Sequence, residues 1–267
     1  MSIKMNNKKG SLTIVGTGIK AKFHISPEAV AALKHADKVL YLVSDTMTER
    51  WLRTMCPRTE SLAACYAENK KRIDSYSEMI HIILRNVRDG SRVCVAFYGH
   101  PGVGVLPTRE AIRIARSEGF ETRMLPGISS IDCLFADLDV DPFTCGCQCF
   151  SATDFLLHER IFDPRSVLIL WQIGGLANSD FKSSGIYNLG ALSVLQEVLL
   201  KRYSSNHRII LYYGAAIGLT EPSIRKLRLA QLSQSSFHGG YTLYIPPLAQ
   251  KGPAPTMVNR VHKALKL

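Results

Sequence analysis

Short apolar runs alternate with amphipathic stretches from Ser11 onward, and this alternation constrains the fold more than any other feature of the chain. Such succession is the signature of βαβ units, in which helices connect parallel strands. It predicts an α/β protein of two αβα lobes with mostly parallel sheets. Strands are predicted over residues 12–15, 39–43, 93–98, 122–125, 167–171, 209–213 and 241–245. Helices are predicted over residues 27–36, 72–87, 108–117 and 192–202.

Turn residues divide this alternation into two parts. Pro126 and Gly127 break the pattern directly after the fourth predicted strand. Because domain boundaries fall where the regular pattern is interrupted, we place the boundary there. The predicted parts are an N-terminal α/β lobe, a C-terminal α/β lobe and a basic tail, over residues 1–125, 126–250 and 251–267.

A chain of 267 residues, 46% of them hydrophobic, is long enough to bury two cores. It contains no uninterrupted apolar run long enough to span a membrane, and the N-terminal sequence MSIKMNNKKG lacks the apolar stretch of a secretory signal. Seven cysteines, an odd number, do not suit a disulfide framework, and reduced thiols are typical of the cytoplasm. We therefore expect a cytoplasmic protein that does not bind membranes.

The net charge of +11 favours a negatively charged partner, which is RNA, an acidic peptide or an anionic small molecule. Part of this charge lies in the expected tails, at Lys4, Lys8, Lys9, Lys251, Lys263 and Lys266. Cys145, Cys147 and Cys149 occupy alternate positions, which would place all three thiols on one side of a strand. The cysteine pairs of zinc sites are usually spaced further apart along the chain. We expect buried thiols there and no metal.

Glycine-rich turns follow three of the predicted strands. They are Gly16-Thr17-Gly18, Tyr98-Gly99-His100-Pro101-Gly102 and the segment from Pro126 to Ser130. Ligands of open α/β folds bind at the carboxyl ends of the strands, where these turns lie. The first turn lacks the third glycine and the lysine of nucleotide-binding motifs, and each turn alone is equally consistent with a simple tight turn. Together the three predict a preformed cleft without a phosphate cradle.

The three turns resemble those of a known family. Gly16-Thr17-Gly18, Tyr98-Gly99-His100-Pro101-Gly102 and Pro126-Gly127-Ile128-Ser129 look like the cofactor-side loops of the tetrapyrrole methylases, a superfamily with two α/β lobes that bind S-adenosylmethionine. The resemblance covers roughly residues 10–250. It implies an S-adenosylmethionine-dependent methyltransferase whose N-terminal lobe carries the first two loops and whose C-terminal lobe completes the cofactor cleft.

A closer resemblance is to the borosin-type peptide backbone N-methyltransferases, which make backbone-methylated peptides such as omphalotin. It is carried by Tyr66-Ala67-Glu68-Asn69, Arg72 through Tyr76, Tyr98 to Val103, Cys133-Leu134-Phe135-Ala136-Asp137-Leu138 and Thr242-Leu243-Tyr244-Ile245-Pro246-Pro247. The resemblance implies N-methylation of backbone amides in a ribosomally made precursor peptide. It also implies a homodimer with interlocked lobes.

The residue types in this set suit that reaction. A peptide nitrogen is a poor nucleophile because its lone pair is delocalised, so methylation requires loss of the N–H proton and stabilisation of the developing imidate oxygen. Arg72 and Tyr76 lie four residues apart on a predicted helix, where the guanidinium charge favours the phenolate form of Tyr76, the candidate base. The resemblance places Tyr66 and Tyr98 beside the amide oxygen. Without it, Tyr76 is more simply one residue of an apolar helix face.

The resemblance also implies contacts to S-adenosylmethionine from both lobes. These residues are Tyr98, His100, Val103, Leu106, Ser129, Cys133, Gln172, Tyr213, Gly240, Tyr241 and Thr242. Gln172 and Thr242 offer hydrogen bonds to the adenine or the amino-acid moiety of the cofactor. His100 is equally consistent with a structural role in capping its own loop.

The C-terminal tail departs from the fungal borosin enzymes, which carry their own substrate as an apolar C-terminal extension. The sequence here stops at Leu267, in the basic stretch KGPAPTMVNRVHKALKL. We therefore expect a separate precursor peptide as the substrate, the split arrangement of bacterial members.

Three other interpretations compete with this one. A relative that methylates a tetrapyrrole or another small acid would suit the positive charge, but the Tyr66, Arg72 and Tyr76 set argues against it. A ribosomal RNA methyltransferase would interleave aromatic and basic residues, a pattern not seen here, so the sequence disfavours a nucleic-acid partner. A non-catalytic binding protein of the same fold stays open because fold does not determine function.

Overall fold

The computed structural model describes residues 10–20, 22–215, 220–250 and 252–266. Two five-stranded sheets, one after the other along the chain, organise these residues into two lobes. The predicted boundary at residues 125 and 126 lies between the two sheets, and as a domain boundary it stays a prediction. Four of the expected tail charges, Lys4, Lys8, Lys9 and Lys251, lie outside the described residues.

The first sheet is entirely parallel, with the strand order β3-β2-β4-β1-β5. Its strands are β1 Ser11–Gly16, β2 Lys38–Leu42, β3 Thr59–Ser61, β4 Arg92–Phe97 and β5 Glu121–Leu125. The register pairs Gly16 with Phe97 and Val15 with Leu125. The loops that follow β1, β4 and β5 therefore begin at the same edge of the sheet.

Helices cover both faces of the first sheet. They are α1 Pro27–His35, α2 Thr46–Arg53, α3 Arg72–Arg88 and α4 Leu106–Ser117, with a 3-10 helix at Leu62–Cys65. α1 and α2 pack on one face through Leu33 and Leu52. α3 and α4 pack on the other through Met79 and Ile112, which makes this lobe the predicted αβα sandwich.

The second sheet has the order β6-β7-β10-β8-β9. Its strands are β6 Cys147–Ser151, β7 Val167–Trp171, β8 Arg208–Tyr213, β9 Ser223–Arg228 and β10 Thr242–Ile245. The remaining helices are α5 Ser130–Leu138, α6 Ala152–Leu157, α7 Ala191–Leu200 and α8 Pro255–Leu265, with 3-10 helices at Ile173–Gly175 and Leu229–Gln234. α6 and α7 pack on one face through Phe155 and Leu195, and α5 on the other through Leu134.

The α/β class is confirmed, but the second sheet differs from the mostly parallel arrangement predicted for it. Only β6 and β7 pair in parallel, whereas β10 is antiparallel to β7 and β8, and β9 is antiparallel to β8. Parallel neighbours need a crossover of a dozen or more residues. Residues 214–222 between β8 and β9 are too few for one, which is consistent with the antiparallel pairing of these two strands.

The predicted helices and strands are present, with ends that differ from the predicted ones by one or two residues. Ser26 caps α1, since its hydroxyl accepts a hydrogen bond from the Ala29 N–H at 3.1 Å. α2 was not predicted. Its signal was the pair Asp45 and Glu49, because the Asp45 carboxylate caps the helix by accepting from the Thr48 N–H at 2.7 Å.

The cysteine triplet is less buried than predicted. Cys147 and Cys149 lie on β6, an edge strand, with Cys149 exposed and the other two thiols half-buried. Within the described ranges, no three histidine, cysteine or acidic side chains are arranged to hold a metal ion. None of the helices in these ranges has the length and apolar character needed to cross a membrane.

Candidate active site

Backbone contacts join the three glycine-rich loops. Gly99 donates its N–H to the Gly18 carbonyl at 2.8 Å, and Gly18 donates back to the Gly99 carbonyl at 3.3 Å. A β-carbon on Gly127 would lie 2.6 Å from the Gly99 carbonyl oxygen and 2.8 Å from the Gly16 Cα. Only glycine permits so close an approach of three backbones. The sequence motifs at residues 16–18, 98–102 and 126–129 thus form one structure.

His100 fixes the middle loop. Its Nδ1 accepts a hydrogen bond from the Gly102 N–H at 2.9 Å, which is the capping role that the sequence left open. The Thr108 hydroxyl, in the first turn of α4, donates to the Pro101 carbonyl at 2.5 Å. Together these bonds preorganise the segment that presents Tyr98.

Four predicted catalytic side chains converge beside these loops. Arg72 is the first residue of α3 and Tyr76 lies one turn later, Tyr98 follows β4, and Tyr66 follows the 3-10 helix Leu62–Cys65. The Tyr66 and Tyr76 rings meet edge to face with their centroids 6.4 Å apart. The Tyr66 hydroxyl interacts electrostatically with Tyr76, Tyr98 and Arg72. We call Tyr66, Arg72, Tyr76 and Tyr98 the tyrosine–arginine cluster.

Two hydroxyls of this cluster are held in the neutral form. Desolvation raises the pKa of Tyr66 and the pKa of Tyr98, and the neighbouring Tyr76 raises both further, against a smaller opposite effect of Arg72. Tyr98 also keeps 47% of its surface exposed, so part of this residue is open to a ligand. Neutral phenols donate hydrogen bonds, which suits them to bind an oxygen that gains negative charge.

A segment of the second lobe contacts the cluster, and the sequence did not predict it. The Asn178 carbonyl accepts a hydrogen bond from Arg72 Nη2 at 2.5 Å, and the Tyr187 ring lies 5.4 Å from the guanidinium carbon. Phe181 stacks on Tyr66 with centroids 4.6 Å apart. These residues lie in a stretch without helical or strand periodicity, so no sequence pattern indicated the contact.

The predicted cofactor contacts of the second lobe share one edge of its sheet. Gln172 follows β7, Tyr213 ends β8, and Thr242 opens β10 opposite Tyr212. Tyr213 lies close enough to Tyr98 to influence its ionisation, so this edge faces the loops of the first lobe.

Aromatic side chains pack together at this edge of the sheet. His238 lies against Tyr213 at 4.4 Å and against Tyr241 at 4.8 Å between ring centroids. A β-carbon on Gly240 would lie 2.8 Å from the Tyr213 ring, so glycine lets the two approach. Tyr241 and Thr242 are almost fully buried, whereas Gln172 is exposed in a left-handed conformation with φ of 57°.

Ser129 and Cys133 already have structural roles. The Ser129 hydroxyl and the Asp132 carboxylate form a capping box at the start of α5. Cys133 is buried against Val167 and Tyr212, and burial raises the pKa of its thiol to about 11. Cofactor contacts from these two residues stay a prediction.

The residue set along the cleft fits S-adenosylmethionine. Val103 and Leu106 keep 48% and 43% of their surfaces exposed beside Tyr98, and Tyr213 keeps 38% across from it. Apolar side chains cover an adenine ring, and aromatic rings attract a sulfonium cation. Gln172 adds an exposed amide at the same edge.

The fold and the cleft define a class of protein. The family described as Tetrapyrrole (Corrin/Porphyrin) Methylases matches residues 11–166, so the chain belongs to the tetrapyrrole methylases. The uroporphyrin III C-methyltransferase of Thermus thermophilus has the same fold, with a TM-score of 0.62, 16% identity, and 93% of this chain and 100% of that chain covered. Its complex with S-adenyl homocysteine gives a TM-score of 0.61 at 17% identity, covering 89% and 97% of the two chains.

Fungal relatives are more similar in sequence. The methyltransferase and precursor of the ribosomally synthesized cyclic gymnopeptides from Gymnopus fusipes is 39% identical over 265 residues, and that of omphalotin A from Omphalotus olearius is 38% identical over the same length. Each alignment covers 98% of this chain and 63% of the relative. The chain therefore spans less than two thirds of the length of these relatives.

Proposed function

We propose that this chain is an S-adenosylmethionine-dependent methyltransferase that N-methylates backbone amides of a peptide supplied as a separate molecule. The observation that carries the proposal is the tyrosine–arginine cluster, which two lobes assemble beside the three loops. The names of the fungal relatives, which join a methyltransferase to a peptide precursor, support a peptide substrate.

The cluster provides both functions that amide methylation needs. Tyr76 is proposed to take the amide proton as a phenolate and to become a neutral phenol, while the positive charge of Arg72, one turn away, stabilises the imidate that develops. Tyr66 and Tyr98 stay protonated because burial raises their pKa, so they donate hydrogen bonds to the amide oxygen. These bonds strengthen as the oxygen becomes more negative, which favours the transition state over the ground state.

S-adenosylmethionine, when bound, supplies an electrophilic methyl group. Tyr98, Val103 and Leu106 would hold it from the first lobe, and Gln172 and Tyr213 from the second. The backbone contacts among the three loops fix the segment that carries Tyr98 before binding. Preorganisation of this kind lowers the cost of bringing two reactants together.

The separate precursor is the finer part of the proposal. The names of the fungal relatives join the methyltransferase and the precursor, so added synthetic peptides test directly whether this chain accepts a peptide from a separate molecule. The homodimer implied by the resemblance stays a prediction.

Release of S-adenosylhomocysteine tests the substrate class. The purified protein is incubated with S-adenosylmethionine and, in parallel, with apolar synthetic peptides, with uroporphyrinogen or with neither. We expect product only with peptides, and a loss of roughly a hundredfold or more in Arg72→Ala and Tyr76→Phe. The control is Tyr203→Phe, which removes the same hydroxyl from a tyrosine in the core of the second lobe. Turnover with uroporphyrinogen alone, or full activity in both cluster variants, would overturn the proposal.

A further inference from the structure

A segment of the second lobe reaches across to the tyrosine–arginine cluster. We call residues 177–187 the interlobe strap. We propose that the strap positions the Arg72 guanidinium through the Asn178 carbonyl and the Tyr187 ring, which makes Tyr187 a positioning residue for the reaction. This inference rests on the proposed function. It adds a residue outside the cluster that holds the Arg72 guanidinium in place.

The strap replaces the missing cap of α3. Lys71, at the cap position, makes no side-chain cap hydrogen bond. Instead the Arg72 N–H donates to the Ser179 carbonyl at 3.0 Å, and Lys71 pairs with Asp180 in an antiparallel bridge. The first N–H groups of a helix need such partners. The start of α3, and with it the Arg72 backbone, is therefore held by the second lobe.

Two neighbouring bonds extend this pairing. The Asn69 N–H donates to the Phe181 carbonyl at 3.0 Å, and the Phe181 N–H donates to the Lys70 carbonyl at 2.8 Å. The Glu68 carboxylate accepts from the Ser183 N–H at 2.8 Å. A short ladder with several bonds of this kind fixes the strap along the segment that precedes α3.

Two groups of the second lobe contact the guanidinium itself. Nη2 donates to the Asn178 carbonyl at 2.5 Å, and the Tyr187 ring lies 5.4 Å from the guanidinium carbon. Gly175 lies nearby, since a β-carbon built on it would be 3.5 Å from Nη2. A cation over an aromatic face is attracted by the negative charge of the ring face, more strongly when it is desolvated. These contacts restrict the rotatable bonds of the long Arg72 side chain.

Hydrogen bonds join the two ends of the strap, which makes it rigid enough to hold the Arg72 guanidinium. The Asn178 side-chain amide donates to the Leu176 carbonyl at 2.8 Å and to the Asn188 carbonyl at 3.1 Å, joining the two ends. The Tyr187 hydroxyl accepts from the Lys182 N–H at 3.3 Å. Ala177, where the strap begins, has a left-handed φ of 58°, a conformation that is unfavourable for a residue with a β-carbon. Strain of this kind persists where the surroundings determine the backbone.

A double-mutant cycle separates positioning from general support. Tyr187→Leu removes the ring, Tyr187→Phe keeps it, and Ile186→Ala, at a residue that is 68% exposed on the same strap, is the matched control. We expect kcat for peptide methylation to fall roughly tenfold or more in Tyr187→Leu, with the peptide KM little changed and with near-normal kcat in the other two. In an Arg72→Ala background, Tyr187→Leu should lower kcat by less than about twofold. Additive losses would overturn the proposal.

A readout that does not depend on activity keeps this inference separable from the proposed function. In nitrogen-15 NMR spectra, the guanidinium Nε–H resonance that Arg72→Ala removes should be sharp in the wild type and in Tyr187→Phe. It should be broadened or shifted in Tyr187→Leu and in Asn178→Ala, which loses the bonds that close the strap. An unchanged Arg72 resonance in both variants would contradict the positioning role even if peptide methylation is established. A changed resonance without peptide methylation would contradict only the proposed reaction.

Discussion

Three tyrosines illustrate how desolvation sets chemistry at the scale of single residues. Tyr66 and Tyr98 are neutral donors because desolvation raises their pKa, and the same physics acts on Tyr203 away from the cleft. Tyr203 stacks on Phe162 and His207, and within the described residues its buried hydroxyl has no hydrogen-bond partner. Tyr203 lies away from the cluster, and its pKa is raised mainly by burial, with a smaller contribution from Asp163.

Tyr203→Phe should leave the free energy of unfolding at neutral pH unchanged or raise it by up to about 1 kcal/mol, because it removes an unsatisfied hydroxyl. Burial raises the pKa of Tyr203 from 10.0 to about 12. The unfolded chain thus loses this proton first, and the wild type loses stability as the pH rises from about 10 to about 12. The variant should lose less stability over that range in urea unfolding.

Tyr212→Phe is the contrasting control for this measurement. Its hydroxyl donates to the Asp137 carboxylate at 2.7 Å, so the substitution leaves a charged acceptor without that donor. We expect it to lower the free energy of unfolding at neutral pH by about 1–3 kcal/mol. Equal effects of the two substitutions would show that hydroxyl pairing does not determine stability at these sites.

At the scale of elements, the convergence of loops depends on glycine. Gly127→Ala puts a β-carbon 2.6 Å from the Gly99 carbonyl oxygen, so the loops after β1, β4 and β5 must separate. We expect S-adenosylmethionine to bind at least roughly tenfold more weakly, as measured by calorimetry. Gly252→Ala is the control, since its φ lies outside the left-handed region and no atom lies within 4 Å of the new carbon. Weaker binding in the control alone would contradict this account.

The sequence predicts the elements that depend on local pattern. The period of α3 places Arg72 and Tyr76 on one face, and the three glycine motifs indicate loops that do meet. It does not predict the interlobe strap, because that contact joins residues about a hundred positions apart and leaves no periodicity. The antiparallel insertion of β10 between β7 and β8 is missed for the same reason, since strand order is a long-range property.

At the scale of the whole molecule, the two lobes share one site. The first lobe supplies the residues of the cluster, and the second supplies the Asn178 carbonyl, the Tyr187 ring and the edge with Gln172 and Tyr213. Neither lobe holds the Arg72 charge alone. Active sites between lobes are common because a cleft there excludes water and admits ligands.

Tandem mass spectrometry of a peptide after incubation with the protein and S-adenosylmethionine tests the central claim most directly. The account predicts increments of one methylene mass that map to backbone nitrogens in the wild-type reaction and that are absent with Arg72→Ala and Tyr76→Phe. Methyl groups on side chains, or backbone methylation that persists in both variants, would contradict it.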